Sequence, residues 1–101
     1  MSAGDEGSGP EVRVIDTLVG LPEGLHMRPL TIIATTAADF VSAVRIGRPG
    51  GPSADVTSML EMLALAIGPG EEVRIEATGR DADAAAAAVL ELFDRGFPEP
   101  G

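Results

Sequence analysis

The chain has 101 residues, 45% of them hydrophobic and only 3% aromatic, and its seven basic and sixteen acidic residues give a net charge of −9. That length suits one small domain with an aliphatic core, and the charge, with no Trp or Tyr to stack on bases, argues against nucleic-acid or anionic-membrane partners. The absence of cysteine removes disulfides, thiol chemistry and thiolate metal sites, and fits a reducing cytosol.

Met1 to Pro10 are mostly Gly, Ser, Ala, Asp and Glu with little to bury, so a disordered tail, native or appended, is expected there. From Glu11 the pattern changes. Val12, Val14, Asp16 and Leu18 alternate with Arg13, Ile15, Thr17 and Val19, which predicts a first strand, and the turn Gly20-Leu21-Pro22-Glu23-Gly24 follows. Leu30, Ile33, Ala34 and Ala37 recur at helical spacing, predicting a helix from about Met27 to Ala38. Phe40 to Ile46 reads as a second strand, Gly47 to Pro52 as a turn-rich loop, and Ser53 to Val56 as a short edge strand. Asp55, Thr57 or Ser58 can cap a short second helix whose apolar positions Met59, Leu60, Met62, Leu63 and Ala66 cover more than one face. Gly68-Pro69-Gly70 closes that unit, and Glu71 to Thr78 alternates as a last strand. Asp81 is the expected N-cap of a final helix with an apolar stripe of Ala85, Val89, Leu92 and Phe93, and Gly96 is its expected C′ residue. The domain therefore spans 11–96, and residues 97–101 are expected to fray.

The order strand, helix, strand, strand, helix, strand, helix, joined by short turns, favours an α+β two-layer arrangement: an antiparallel sheet with its helices on one face. The order of the strands within the sheet does not follow from the pattern. Neither a signal-peptide pattern nor an apolar run of membrane-spanning length is present, so a cytoplasmic protein without membrane insertion is expected.

The chemistry concentrates in Gly24-Leu25-His26-Met27-Arg28-Pro29-Leu30, which holds the single histidine at the passage from strand to helix. Pro29 fits a first helical turn, whose N–H groups have no intrahelical partner. Those N–H groups and the positive end of the helix dipole form a seat for an anion, and Arg28 adds a planar, permanently charged fork suited to phosphate oxygens. A neutral imidazole nitrogen beside such a seat is a nucleophile that needs no separate base near neutral pH. A lone histidine beside an arginine in a loop is, however, most often solvated surface, and the pattern by itself leaves both readings open.

The segment Gly24 to Leu30 resembles the active-site signature of HPr, the histidine-containing phosphocarrier of the bacterial phosphoenolpyruvate:sugar phosphotransferase system. The likeness covers roughly Glu11 to Asp94 and is similar also at Ser58-Met59-Leu60 through Leu65 and at Ile75-Glu76-Ala77-Thr78-Gly79. It implies an open-faced sandwich of four antiparallel strands with three helices on one face. It implies that His26 receives a phosphoryl group from Enzyme I and passes it to an EIIA-type acceptor, that Arg28 steadies the phosphohistidine, and that the backbone N–H groups of Met27 and Arg28 contact the phosphate. Such a protein is a carrier in a relay and not an independent catalyst, works as a monomer through transient contacts, and needs no cofactor or metal. Ser58 matches a serine phosphorylated by a regulatory kinase in some members, although a helix cap, with Glu61 placed as the capping-box glutamate, explains it as well. Met59, Leu60 and Leu63 match partner-touching positions, and some of them are expected to pack in the core instead.

Two features depart from the family pattern. Lysines are common beside the family's active site, where they meet an acidic surface on Enzyme I, but this chain has none and offers Thr35, Ala38 and Glu61 at such places. Met27 stands where a small residue is usual and Leu30 where an alanine is. These departures leave open a dedicated Enzyme I and a nitrogen-regulatory rather than sugar-uptake branch. The alternative to the carrier is a binding module of the same fold acting through Met59, Leu60 and Leu63 without obligatory phosphotransfer. A hydrolase or metal site is disfavoured by one histidine, no cysteine and no Gly-x-Ser-x-Gly elbow.

Overall fold

The computed structural model describes residues 11–98, so the expected tail of residues 1–10 and the positions 99–101 lie outside the described residues. The elements run β1 (Glu11–Leu18), α1 (Met27–Ala37), β2 (Ala43–Gly47), β3 (Ser53–Asp55), α2 (Met59–Ala64), β4 (Glu72–Gly79) and α3 (Ala82–Asp94). The four strands form one sheet in the order β1-β4-β2-β3, every neighbour antiparallel. Only β2 and β3 are a hairpin. β4 enters between β1 and β2, so β1 and β2 run parallel on either side of it with α1 as their crossover, and α2 makes the matching crossover from β3 to β4.

Alternation along each strand sorts the two faces. Val44, Ile46, Ala54, Val73, Ile75 and Ala77 point inward and are buried, and the opposite face leaves Val12, Val14 and Leu18 exposed to solvent. Leu30 and Ile33 of α1 and Val89 of α3 fill the space above the sheet. Ala82, Ala85 and Ala86 are also wholly buried, which lets α3 lie close against β1 and β4. The result is the expected two-layer, open-faced arrangement.

Three local expectations are corrected. The second strand begins at Ala43 rather than Phe40, because Val41 and Ser42 donate their amides to the Asp81 carboxylate at 3.0 and 2.9 Å instead of to a neighbouring strand. Asp81 is accordingly at the N-cap position of α3 without capping it; the Ser42 hydroxyl, which also donates to the carboxylate, and the two amides hold its pKa below the ordinary value. The third correction concerns Phe97. It does not fray: it is 2% exposed and its ring meets Phe93 edge-on, with centroids 4.8 Å apart. The cause is the end of α3, where Gly96 turns to φ +71°, its N–H bonds the Phe93 carbonyl at 3.2 Å and the Phe97 N–H bonds the Leu92 carbonyl at 2.8 Å. That paired closure folds the chain back and drives the following side chain into the core.

Two carboxylate–arginine pairs tie elements together. Asp16 accepts from Arg74 at 2.8 and 3.0 Å on the outer sheet face, and Glu71 accepts from Arg48 at 2.7 and 3.0 Å ahead of β4. The Arg74 hydrogen bonds lower the Asp16 pKa, the Thr57 amide and hydroxyl lower that of Asp55, and Arg48 with the Gly68 amide pulls Glu71 down to about 2.

Phe97→Ala is expected to lower the free energy of unfolding in urea by about 3 kcal/mol, as for a buried ring, where loss of a frayed side chain would change it little. Because Asp16, Asp55, Glu71 and Asp81 all have folded pKa values below their unfolded ones, their stabilisation is complete above the unfolded carboxylate range near about 4 and is lost as pH falls through the folded values. Thermal melts should show these four giving no slope from neutral pH down to about 5 and a fall toward 2, with the fall shallower in Glu71→Gln.

Candidate functional site

The antiparallel pairing of Leu18 with Glu72 sends the chain leaving β1 and the chain entering β4 out of the same end of the sheet. There they are stitched to each other. The Val19 N–H donates to the Glu71 carbonyl at 2.9 Å, the Gly70 N–H to the Val19 carbonyl at 2.8 Å, and the Leu25 N–H to the Ile67 carbonyl at 3.0 Å. Gly24 holds φ +72° against the other loop, and a Cβ there would lie 2.8 Å from both the Gly68 Cα and the Ile67 carbonyl oxygen. Only glycine meets both demands, the positive φ and the close approach.

This anchoring delivers His26 to the N-cap of α1. Its backbone is extended (φ −91°, ψ −170°), and its carbonyl accepts the first helical bond from Leu30 at 3.2 Å. Unlike a serine or aspartate cap, the side chain bonds no helix amide. The Met27 and Arg28 amides therefore precede the first bond of the ladder, and Pro29, buried, brings no N–H at all. The first turn itself holds no acidic residue to offset the positive helix end.

The imidazole is 39% exposed, with Nε2 3.6 Å from Glu23 Oε1, a pairing that is ionic only when the ring is protonated. Leu21, Pro22, Glu23, His26 and Arg28 line an open hollow of about 210 Å³. Arg28 is partly buried there and its Nη1 donates to the Phe97 carbonyl at 2.9 Å. The closure at the end of α3 thus positions a guanidinium beside the histidine. Glu23, three residues before His26, was legible as a neighbour from spacing alone; the Phe97 carbonyl was not, since it comes from 69 residues away.

The second group of predicted residues lies on α2, which packs beside α1, and does not line the hollow. The Ser58 hydroxyl caps α2 by accepting from the Glu61 N–H at 3.2 Å. Glu61 completes no reciprocal capping box, because its carboxylate accepts from the Asp55 amide at 3.3 Å. Met59 packs against the core and Met62 is buried, whereas Leu60 is 81% exposed and Leu63 37%. Of the three predicted contact positions, Leu60 and Leu63 offer apolar surface to a partner and Met59 largely does not.

Comparison with known proteins shows the family. The family model described as the PTS HPr component phosphorylation site matches residues 15–95. The chain is 32% identical to the phosphocarrier protein HPr of Mycoplasma genitalium over 74 residues, covering 73% of this chain and 84% of that one. It is 33% identical to the phosphocarrier protein NPr of Escherichia coli K12 over 76 residues, covering 75% and 84%. The crystal structure of an HPr from Thermoanaerobacter tengcongensis shares the fold with a TM-score of 0.79 over 88% of this chain and 99% of that one, at 24% identity. The chain belongs to the HPr family, the phosphocarrier proteins of the phosphotransferase system.

Proposed function

We propose that His26 is the carrier residue, accepting a phosphoryl group of phosphoenolpyruvate origin from phospho-Enzyme I and giving it to an EIIA-type acceptor. The observation that supports this most is an exposed histidine at an N-cap whose ring is not spent on capping. With Nε2 turned to Glu23, Nδ1 is the nitrogen assigned to attack phosphorus. As the Nδ1–P bond forms, the donor's N–P bond breaks, the proton stays on Nε2, and Glu23 balances the positive charge that the ring acquires. The phosphoryl oxygens meet the Met27 and Arg28 amides and the Arg28 guanidinium. The reverse sequence hands the group on, so the site must hold phosphate firmly enough to orient it and loosely enough to release it.

Docking is assigned to the exposed apolar side chains Met27, Leu60 and Leu63, through small, short-lived interfaces that suit a monomeric carrier in the cytoplasm. Glu23 stands beside His26, Glu61 shares α2 with the leucines, and the chain has no lysine, so steering toward an acidic partner is weak and an Enzyme I dedicated to this carrier is favoured. Ser58 is a candidate for regulatory phosphorylation as well as a cap: a phosphate there sits at a helix start, next to the exposed leucines, and would oppose apolar docking.

Incubation with phosphoenolpyruvate and the Enzyme I of the same cell is expected to add one acid-labile phosphate to the wild type and none to His26→Ala, read by intact mass. Arg28→Ala should still accept phosphate but about a hundredfold more slowly. A wild type that gains no mass, beside an Enzyme I active on another carrier, would remove the carrier role in this pathway and favour the binding module.

A further inference from the structure

Arg48 lies in the loop after β2, outside the hollow that holds His26, and yet its side chain makes four hydrogen bonds. Its Nη1 donates to the Leu65 carbonyl at 2.8 Å and its Nη2 to the Ala66 carbonyl at 3.2 Å, while Nε and Nη2 hold both oxygens of Glu71. Leu65 is the C-cap of α2, and α2 has no basic residue in its last turn, so this guanidinium supplies from outside the cation that a helix end favours. Ala66 then takes φ +50°, a left-handed conformation that is strained for an alanine. The next carbonyl, of Ile67, receives the Leu25 N–H, and Gly68 packs on Gly24. Glu71 closes the circuit: its carboxylate accepts the Gly68 N–H at 2.7 Å and its carbonyl accepts the Val19 N–H.

We infer that Arg48, with Glu71, is a positioning residue for phosphotransfer, holding the 65–71 loop in the shape that seats Leu25 and, through it, His26 at the start of α1. This rests on the reading of His26 as the carrier. The path is short and physical: guanidinium to the carbonyls around Ala66, the Ile67 carbonyl to the Leu25 amide, and one peptide to the histidine. Transfer between two imidazoles demands close alignment, and a displacement near 1 Å is worth about a hundredfold in rate. The same guanidinium fixes the end of the helix that carries Leu60 and Leu63, so the docking surface and the phosphoryl seat keep one spacing.

The test compares Arg48→Ala and Glu71→Gln with Arg74→Ala, which removes a bidentate pair of the same kind whose hydrogen bonds go to Asp16 on the outer sheet face and not to the 65–71 loop. Three quantities are measured: transfer from phospho-Enzyme I at saturating and limiting carrier, amide hydrogen exchange at Leu25, and urea stability. Arg48→Ala should lower the saturating rate about tenfold with KM little changed and speed Leu25 exchange about tenfold, Glu71→Gln should do both more weakly, and Arg74→Ala should leave both at wild-type values after its own stability loss. If Arg48→Ala does not fold, Glu71→Gln against Arg74→Ala decides alone. Wild-type transfer and Leu25 exchange in folded Arg48→Ala, or an equal loss in Arg74→Ala, would overturn the assignment. Should wild type take no phosphate at all, the carrier reading fails, and unchanged Leu25 exchange in the Arg48 variant would still refute the clamp on its own.

Discussion

The antiparallel pairing of β1 with β4 is the constraint from which the site derives. Because Leu18 faces Glu72 in register, the chain that has just left β1 and the chain about to enter β4 emerge side by side, although more than 40 residues separate them. Four contacts then follow almost inevitably: Val19 with Glu71, Gly70 with Val19, Leu25 with Ile67, and Gly24 against Gly68. The two loops brace one another, and Val19, Leu25 and Ile67 anchor them in the core. A histidine on a solvent-facing turn acquires a defined direction only because the second loop stands behind it.

The start of α1 forgoes the local stability that a side-chain cap supplies. A serine or aspartate at the N-cap would contribute about 1 kcal/mol by satisfying a first-turn amide, and an acidic residue in that turn would add a favourable dipole contact. Neither is present: the N-cap is His26, its ring is turned away from the amides, and the turn holds no carboxylate. The contrast with α2 is direct, where Ser58 caps the helix and Glu61 lies in the first turn. One helix end is finished in the usual stabilising way and the other leaves its first amides without a side-chain cap.

Charge is used sparingly in the same spirit. In a chain of net charge −9 most arginines serve as internal ties: Arg48 to Glu71 and two carbonyls, Arg74 to Asp16, Arg45 to Ser53, Arg13 to Asp83, and Arg95 to Glu91. Arg28 lines the hollow of His26, and its Nη1 donates to the Phe97 carbonyl.

Much of this was legible in the order of residues, because local rules decide it. Alternation marked β1 and β4, helical spacing marked α1 and α3, and the Gly-x-His-x-Arg-Pro segment placed the histidine at a strand-to-helix passage together with its arginine. What the tertiary structure alone decided are the pairings over long sequence distances. Strand order required β4 to insert between β1 and β2; the Asp81 carboxylate left its own helix for Val41 and Ser42; Phe97 was folded into the core by the closure around Gly96; and Arg48, in the turn-rich loop after β2, became the tie to the 65–71 loop. A hydrogen-bonding side chain has many partners of equal chemistry along a chain, and which one it meets is settled only when burial of the aliphatic faces has brought the elements together.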